Sequence, residues 1–518
     1  MEAQNTSQYW LDAILDTVEQ RAAGQPVLVC SGITPSGPYH VGHAREILTA
    51  EAVRRGLELR GLEARHMHNV DDFDALRKRY AYLPESYEQE AGKPVYIVPA
   101  PDGRSASYAE QYFSAYAAAA EKLGIPMEIW RSHEEYQAGK FAEVITTALQ
   151  RRDDIARILE TISHREVPTD WQPVQILDAA TQNLRTAEFL SFDTEAGLVE
   201  YRSADGAVKQ ADIRAGEVKL DWRVDWPARW HMLGVTVEGF GKEHATKGGS
   251  YDTGSAIQRE VFGTEPPIPV PFNPINLKGD TRKMSSSIGN LVTIDQALEF
   301  IPPDVLRYFV FKSMPSKVLE FDPGLGMYNL IDEFAATEAA VQAGLEAQFE
   351  QAWRVSVLDP SDATISTIPY SHLVTTYQAA RQQEEATLAL LKKTHPSQVE
   401  AEGAVIQREL TYIKNWLQTE YAPESIKFAL ADELPDVTPT AEGADFLQTL
   451  ASDYPETPEA EVVQTLIFET AKAHDVQPRD GFKLLYRLFI QKDAGPKLGG
   501  FLADLDRDFV MARLRRER

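Results

Sequence analysis

The sequence holds one cysteine, Cys30, among its 518 residues. That excludes an intrachain disulfide framework and any zinc site built from several cysteines, and it fits a reducing compartment. Cations are scarce as well: 52 Lys and Arg stand against 78 Asp and Glu, a formal net charge of -26. Such a balance argues against a protein that coats nucleic acid nonspecifically, while remaining compatible with a local basic face. It reads as an adaptation to solubility or salt. Long apolar runs are missing, so no stretch is suited to crossing a bilayer. Met1 to Tyr9 is polar, without the basic-then-apolar order of a signal peptide. A soluble, cytoplasmic protein is expected.

What is present is ordinary globular composition, 43% apolar and 25% charged. The length exceeds what one hydrophobic core organises, so roughly two to four domains are expected. Val27 to Cys30 is a short apolar run suited to a buried parallel strand. Gly32, Pro35, Gly37 and Pro38 then break it with turn chemistry, and Ala44, Ile47, Leu48 and Ala52 recur at helical spacing. Strand, turn and helix N-terminus together suit a phosphate, and His40 and His43 sit in that turn as hydrogen-bond donors. A plain strand-to-helix connection with two surface histidines fits this stretch equally well.

Tyr9 to Ala22 reads as an amphipathic helix, Glu63 to Val70 as a second strand, Ser107 to Leu123 as helix, Ile125 to Trp130 as strand and Glu134 to Leu159 as helix. The second strand ends in Asp71, Asp72 and Asp74, which are either candidates for holding a cation or a solvated acidic turn. From about Pro168 to Val218, short β-like pieces suggest a small insertion between two halves of a nucleotide-binding domain. Lys219 to Trp230 then places three tryptophans among alternating charges. Val235 to Phe240 reads as a strand leading into a glycine-rich loop, Gly241 to Gly254. Between Lys278 and Ser287, Met284 is the only apolar side chain among many donors, which suits a polyphosphate or a surface linker. After Asp295 strand periodicity is lost. Helices are expected from Pro302, over Tyr370 to Leu391, Ala404 to Leu417 and Gly481 to Gln491, in an all-helical region from about Met314. Asp359 to Ser366 and Pro435 to Thr440 read as linkers, and Arg513, Arg515, Arg516 and Arg518 as a basic tip.

Two signals in order point to a family. Pro35-Ser36-Gly37-Pro38-Tyr39-His40-Val41-Gly42-His43 resembles the HIGH element of class I aminoacyl-tRNA synthetases, and Lys283-Met284-Ser285-Ser286-Ser287 resembles their KMSKS loop. Asp71 to Lys78, Trp222 to Trp230, Phe240 to Asp252 and the Gly-Pro-Lys-Leu-Gly run from Gly495 to Gly499 are similar to the class I lysyl-tRNA synthetase family. The resemblance covers nearly the whole chain. It implies a Rossmann-type α/β catalytic domain over 1–295 with a connective insertion at about 165–218. A stem-contact region over 296–358 and an all-α anticodon-binding domain over 359–518 would follow.

It also implies ATP with Mg²⁺, L-lysine and tRNA(Lys) as partners, with no DNA and no membrane, and a monomer. The lysine carboxylate attacks the α-phosphate of ATP, and the terminal ribose of the tRNA then attacks the lysyl-adenylate. By resemblance His40 and His43 meet the phosphates, Gly42 leaves room for adenosine, and Lys283 neutralises departing pyrophosphate while Ser285, Ser286 and Ser287 donate hydrogen bonds. Pro35, Ser36, Gly37, Gly241 and Met284 complete the ATP site. Gly32, Thr34, Trp226 and His244 surround the amino acid, and Asp71, Asp225 and Asp252 are the candidate anions for its ε-ammonium. A glutamyl enzyme, the nearest alternative, needs cations there. The chain departs from the pattern in two ways. Ser286 stands where many such loops carry lysine, and Leu177-Asp178-Ala179-Ala180 stands where some relatives hold zinc through cysteines, so no structural zinc is expected. A catalytically silent paralogue and a free-standing nucleotidylyltransferase are the competing classes. The retained His40, His43 and Lys283 speak against the first and the long helical region against the second.

Overall fold

The computed structural model describes residues 9–279 and 291–517. The loop from Lys283 to Ser287 therefore lies outside the described residues, as does Arg518. Helix α1 (Trp10–Ala22) leads into strand β1 (Val27–Ile33), whose β-branched and apolar residues suit a strand covered on both faces. Helix α2 (Val41–Leu59), strand β2 (Ala64–Val70), helix α3 (Tyr108–Lys122) and strand β3 (Met127–Arg131) follow. The Ser107 side chain accepts the Glu110 N–H and so starts α3.

The stretch expected as one helix from Glu134 is three: α4 (Ser132–Gln137), α5 (Ala142–Gln150) and α6 (Arg152–Ser163). Gly139 adopts a left-handed φ of 73° and breaks the first from the second, an interruption that the helical spacing of apolar residues conceals. The insertion pairs β4 (Val174–Ile176) with β8 (Val218–Leu220) antiparallel and folds β5 (Glu188–Asp193), β6 (Leu198–Arg202) and β7 (Val208–Asp212) into a meander. Its knot is Asp178, fully buried. The carboxylate accepts the Ser203 hydroxyl at 2.6 Å, the Ala204 N–H at 2.8 Å, the Ala180 N–H at 2.9 Å and the Thr186 hydroxyl at 3.0 Å.

The chain returns through helix α7 (Trp222–Leu233), strand β9 (Val237–Gly241), helix α8 (Ser250–Glu260) and strand β10 (Ile268–Phe272). The five long strands form one parallel sheet in the order β10-β9-β1-β2-β3, with Val27 opposite Ala64 and Val29 opposite Val237. This is the expected Rossmann-type arrangement.

Two compact units are present. The first runs to residue 297 and takes in 306–321 and 354–356; the second holds 298–305, 322–353 and the chain from 357 onward. A short parallel pair, β11 (Ile275–Leu277) with β12 (Leu319–Phe321), corrects the expectation that strands end before Asp295. Three residues reading Leu-Glu-Phe are too few to show a period. In the second unit, the helix expected from Tyr370 to Leu391 is two, Tyr370–Ala379 and Glu384–Thr394, because Arg381 and Gln382 take left-handed φ of 56° and 59°. Its core gathers Phe446, Leu450, Val463, Ile467, Leu488 and Phe501. Arg513 is a second correction. It is buried and donates to the Ala431 carbonyl at 2.6 Å, and Arg516 donates to the Val437 carbonyl at 2.9 Å, so the basic tip is in part a set of backbone caps. No helix among the described residues is long and apolar enough to cross a membrane.

Candidate active site

The chain leaves β1 for β2 and β3 on one side and returns through β9 and β10 on the other. In open parallel sheets this reversal opens the ligand crevice outside the carboxyl ends of the strands. The residues at that end of β1, β2 and β9, with α2 and α7, build the site.

One side of this crevice is the start of α2. His40 is its N-cap: Nδ1 accepts the Gly42 N–H at 3.1 Å, while His43 Nδ1 accepts the His40 N–H at 3.1 Å, with the ring centroids 3.9 Å apart. Each Nδ1 is thus an acceptor, which leaves the proton of a neutral ring on Nε2, the nitrogen that donates. A Cβ on Gly42 would lie 2.7 Å from the His40 ring, so this turn requires glycine. Two imidazole donors beside the positive end of a long helix suit an anion. The loop from Pro35 to Gly37 is held through the Ser36 carbonyl, which accepts the Tyr108 and Tyr82 hydroxyls at 2.8 and 3.0 Å. At the end of β9, a Cβ on Gly241 would lie 2.6 Å from the Glu243 carboxylate.

The other side begins two residues beyond Cys30. The Gly32 N–H donates to Glu46 Oε1 at 2.8 Å, and the Thr34 hydroxyl donates to Asp74 Oδ2 at 3.0 Å. Trp226 is buried against Cys30 and Phe240, and its indole lies 5.7 Å from His244 and 5.6 Å from Trp222 between centroids. His244 is 5.3 Å from Trp222. Aromatic faces converging in this way favour a cation.

The three predicted anions have unequal surroundings. Asp225, buried, accepts the Tyr136 hydroxyl at 2.6 Å and pairs with Arg229 at 2.8 Å and Lys219 at 3.5 Å. Asp71 pairs with Arg229 at 2.8 Å and accepts the Asn69 amide at 2.7 Å. Asp252, at the start of α8, accepts the Gly248 N–H at 2.8 Å. Lys219 also pairs with Asp74 at 3.1 Å. Burial alone would lower the Lys219 ammonium, but Asp74, Asp225 and Asp71 outweigh it and hold it above the usual range. Arg229 is held charged in the same way by Asp71 and Asp225. Burial raises Asp71 against the pull of Arg229.

Sequence reasoning missed Glu46. Its carboxyl is buried, no cation is in ion-pair contact with it among the described residues, and burial together with Glu238, Asp71 and Glu243 pushes its pKa up to about 8. The available signal was its position three residues after His43, on the same face of α2. Lys219, Arg229 and Tyr136 were missed as well, since the Lys219–Asp74, Arg229–Asp71 and Tyr136–Asp225 contacts join positions far apart in the chain and only Arg229–Asp225 lies at helical spacing.

Residues 8–359 match the family model for tRNA synthetases class I (K). The chain belongs to that family. Among relatives of the synthetase, lysine–tRNA ligase 1 of Methanosarcina acetivorans is 38% identical over 98% of both chains. The lysine–tRNA ligase of Thermoplasma acidophilum is 37% identical, again over 98% of each. Among solved structures, a glutamate tRNA ligase from Elizabethkingia meningosepticum aligns with a TM-score of 0.41 and 13% identity, covering 95% of the synthetase and 99% of that chain.

Proposed function

We propose that the protein is a lysine–tRNA ligase that forms lysyl-adenylate from L-lysine and ATP and transfers the lysyl group to tRNA(Lys). The observation that carries the reading is the charge of the amino-acid side. Four carboxylates, Asp71, Asp74, Asp225 and Glu238, face two cations, Lys219 and Arg229, and Glu46 faces Glu238 and Asp71 with no cation in ion-pair contact among the described residues. Such a site is completed by a cationic amino acid and opposed to an anionic one. Lys219 and Arg229 already occupy Asp71, Asp74 and Asp225, and Asp252 is taken up by the Gly248 N–H at the start of α8, so we assign Glu46 as the anion for the ε-ammonium, with Trp226 and His244 as walls and Gly32 and Thr34 at the floor.

The lysine carboxylate oxygen bonds to the α-phosphorus, and the bond from that phosphorus to the bridging oxygen of pyrophosphate breaks. Little covalent work falls to the protein, so positioning and charge stabilisation supply the rate. The Nε2–H groups of His40 and His43 donate to phosphoryl oxygens. Lys283 neutralises the departing pyrophosphate, with Ser285 to Ser287 as donors and Ser286 in place of a second cation. Mg²⁺ enters with the nucleotide. Among the described residues no group of three or more His, Cys, Asp or Glu side chains could hold a metal ion, and no step is assigned to one. The 2′- or 3′-hydroxyl of the terminal tRNA ribose then attacks the lysyl carbonyl, releasing AMP. In this reading residues 296–358 contact the acceptor stem, 359–518 read the anticodon, and the enzyme works as a cytoplasmic monomer without structural zinc.

The test is ATP–pyrophosphate exchange by the purified protein against each of the twenty amino acids. Exchange that depends on lysine is expected, and its absence would overturn the reading.

A further inference from the structure

Glu238 is the second residue of β9 and is 8% exposed, and no cation is in ion-pair contact with it among the described residues. Its Oε1 accepts the Trp226 indole N–H at 3.0 Å, and its Oε2 accepts the indole N–H of Trp230. An indole needs a single acceptor when buried, and a neutral carbonyl would serve. A carboxylate is an expensive choice there, because burial disfavours its charge. It can, however, do two things that a neutral group cannot. Both of its oxygens accept, so two donors converge on one rigid plane. That plane fixes Trp226 and Trp230 at 4.7 Å between centroids and 54° between rings, and Trp222 packs against Trp226 at 20°. The negative charge at the N–H also makes the indole face more electron-rich, which strengthens its attraction for a cation.

We propose that Glu238 is the positioning residue of the amino-acid site, holding and polarising Trp226 so that its face receives the cationic substrate. This rests on the reading that Trp226 lines the lysine site. The neighbourhood supports the assignment. Gly254 of α8 comes so close that a Cβ there would lie 3.0 Å from the Trp230 ring, so that indole is clamped from the other side as well.

The experiment compares the full-length protein with Glu238→Gln, Trp226→Phe and the double variant in lysine-dependent ATP–pyrophosphate exchange. Glutamine keeps the shape but offers one acceptor and one donor, so one indole loses its partner. Glu238→Gln is expected to raise KM for lysine by about tenfold, the scale of one charged hydrogen bond, with KM for ATP changed less than about twofold. In the Trp226→Phe background, which has no indole N–H, the same change should add less than about twofold to KM for lysine. Tryptophan emission, blue-shifted in Glu238→Gln as the negative charge leaves the indole N–H groups, without loss of the folded circular dichroism spectrum, reports the freed indole independently of activity. The proposal is overturned if KM for lysine stays within about twofold, if both KM values rise together, or if the two substitutions multiply. Should Trp226→Phe leave KM for lysine unchanged, it is the placement of Trp226 in the lysine site that fails, and the proposal falls with it.

Discussion

Glu46→Gln separates what the folded protein prefers from what its substrate needs. Desolvation of the half-buried parent side chain, with Glu238, Asp71 and Glu243 facing it, pushes its carboxyl up to about 8, against an ordinary value of 4.5. Between those two values the folded chain holds a proton that the unfolded chain has lost, so stability falls as pH rises from about 4.5 to about 8. At pH 7 the unfavourable interval is about 2.5 units, or about 3 kcal/mol at 1.36 kcal/mol per unit, and relaxation around the site brings the expected figure to about 1.5 to 3 kcal/mol. Glutamine is uncharged and retains an oxygen for the Gly32 N–H. The variant should therefore be more stable than the parent by that amount at pH 7 in urea titrations, with the difference vanishing below pH 4.5.

Lysine binding runs the other way. An ammonium requires the ionised carboxylate, so the parent should release close to one proton on binding lysine at pH 7. Calorimetry in two buffers of different ionisation enthalpy reads this directly. KM for lysine should fall as pH rises from about 6.5 to about 8.5, and Glu46→Gln should lower kcat/KM for lysine by about 30-fold or more while releasing no proton. Unchanged kcat/KM in the variant, or binding by the parent without proton release, would refute the assignment of Glu46.

Three further outcomes are expected. Asp178→Ala leaves the Ala180 and Ala204 N–H groups without their acceptor and should cost about 2 to 4 kcal/mol, seen as earlier proteolysis within the insertion; the hydrogen bonds that overcome burial lower the parent carboxyl to about 2, so the stability it contributes above its ordinary 3.8 is lost as pH falls between those values. His66 and His68, both bonded to the Ser31 hydroxyl at 2.7 Å, are lowered by burial to about 3, so stability should fall as pH drops from 6.5 toward 3, and a His66→Gln/His68→Gln double variant should show a shallower slope in acid denaturation. Lys283→Ala should slow lysine-dependent exchange by about a hundredfold while KM for lysine holds, and an unaffected rate would show that this loop does not serve pyrophosphate.

The strand-loop-helix from Val27 to Leu59 was legible because its signals are local: an apolar β run, Gly and Pro at the turn, then a helical period. The same locality explains the failures. Leu319–Phe321 pairs with β11 across more than forty intervening residues, and Arg381 and Gln382 turn left-handed without a glycine to announce it. The predicted anions fail to separate for the same reason. In sequence Asp71, Asp225 and Asp252 are equivalent carboxylates, whereas Glu46 is one acid on an amphipathic helix. Their difference is set by Lys219 and Arg229, which reach Asp74, Asp225 and Asp71 from other segments. Only the Arg229–Asp225 contact, four residues apart on α7, lies within reach of helical spacing.

Those two internal cations also bear on specificity. If every carboxylate on the amino-acid side were open, several ammonium positions would compete and any small cation could settle there. Lys219 and Arg229 neutralise most of the cluster, and the Tyr136 hydroxyl takes up part of what remains on Asp225. The carboxylates of this cluster left without an ion-pair partner among the described residues are thereby Glu46, beside the Gly32 N–H, and Glu238, behind the Trp226 indole. A carboxylate side chain brought to the same place would meet the like charge of the carboxylates that face Glu46, namely Glu238, Asp71 and Glu243. The discrimination against glutamate that the glutamyl alternative demands would then come from repulsion, which costs the wrong substrate more than a lost contact does.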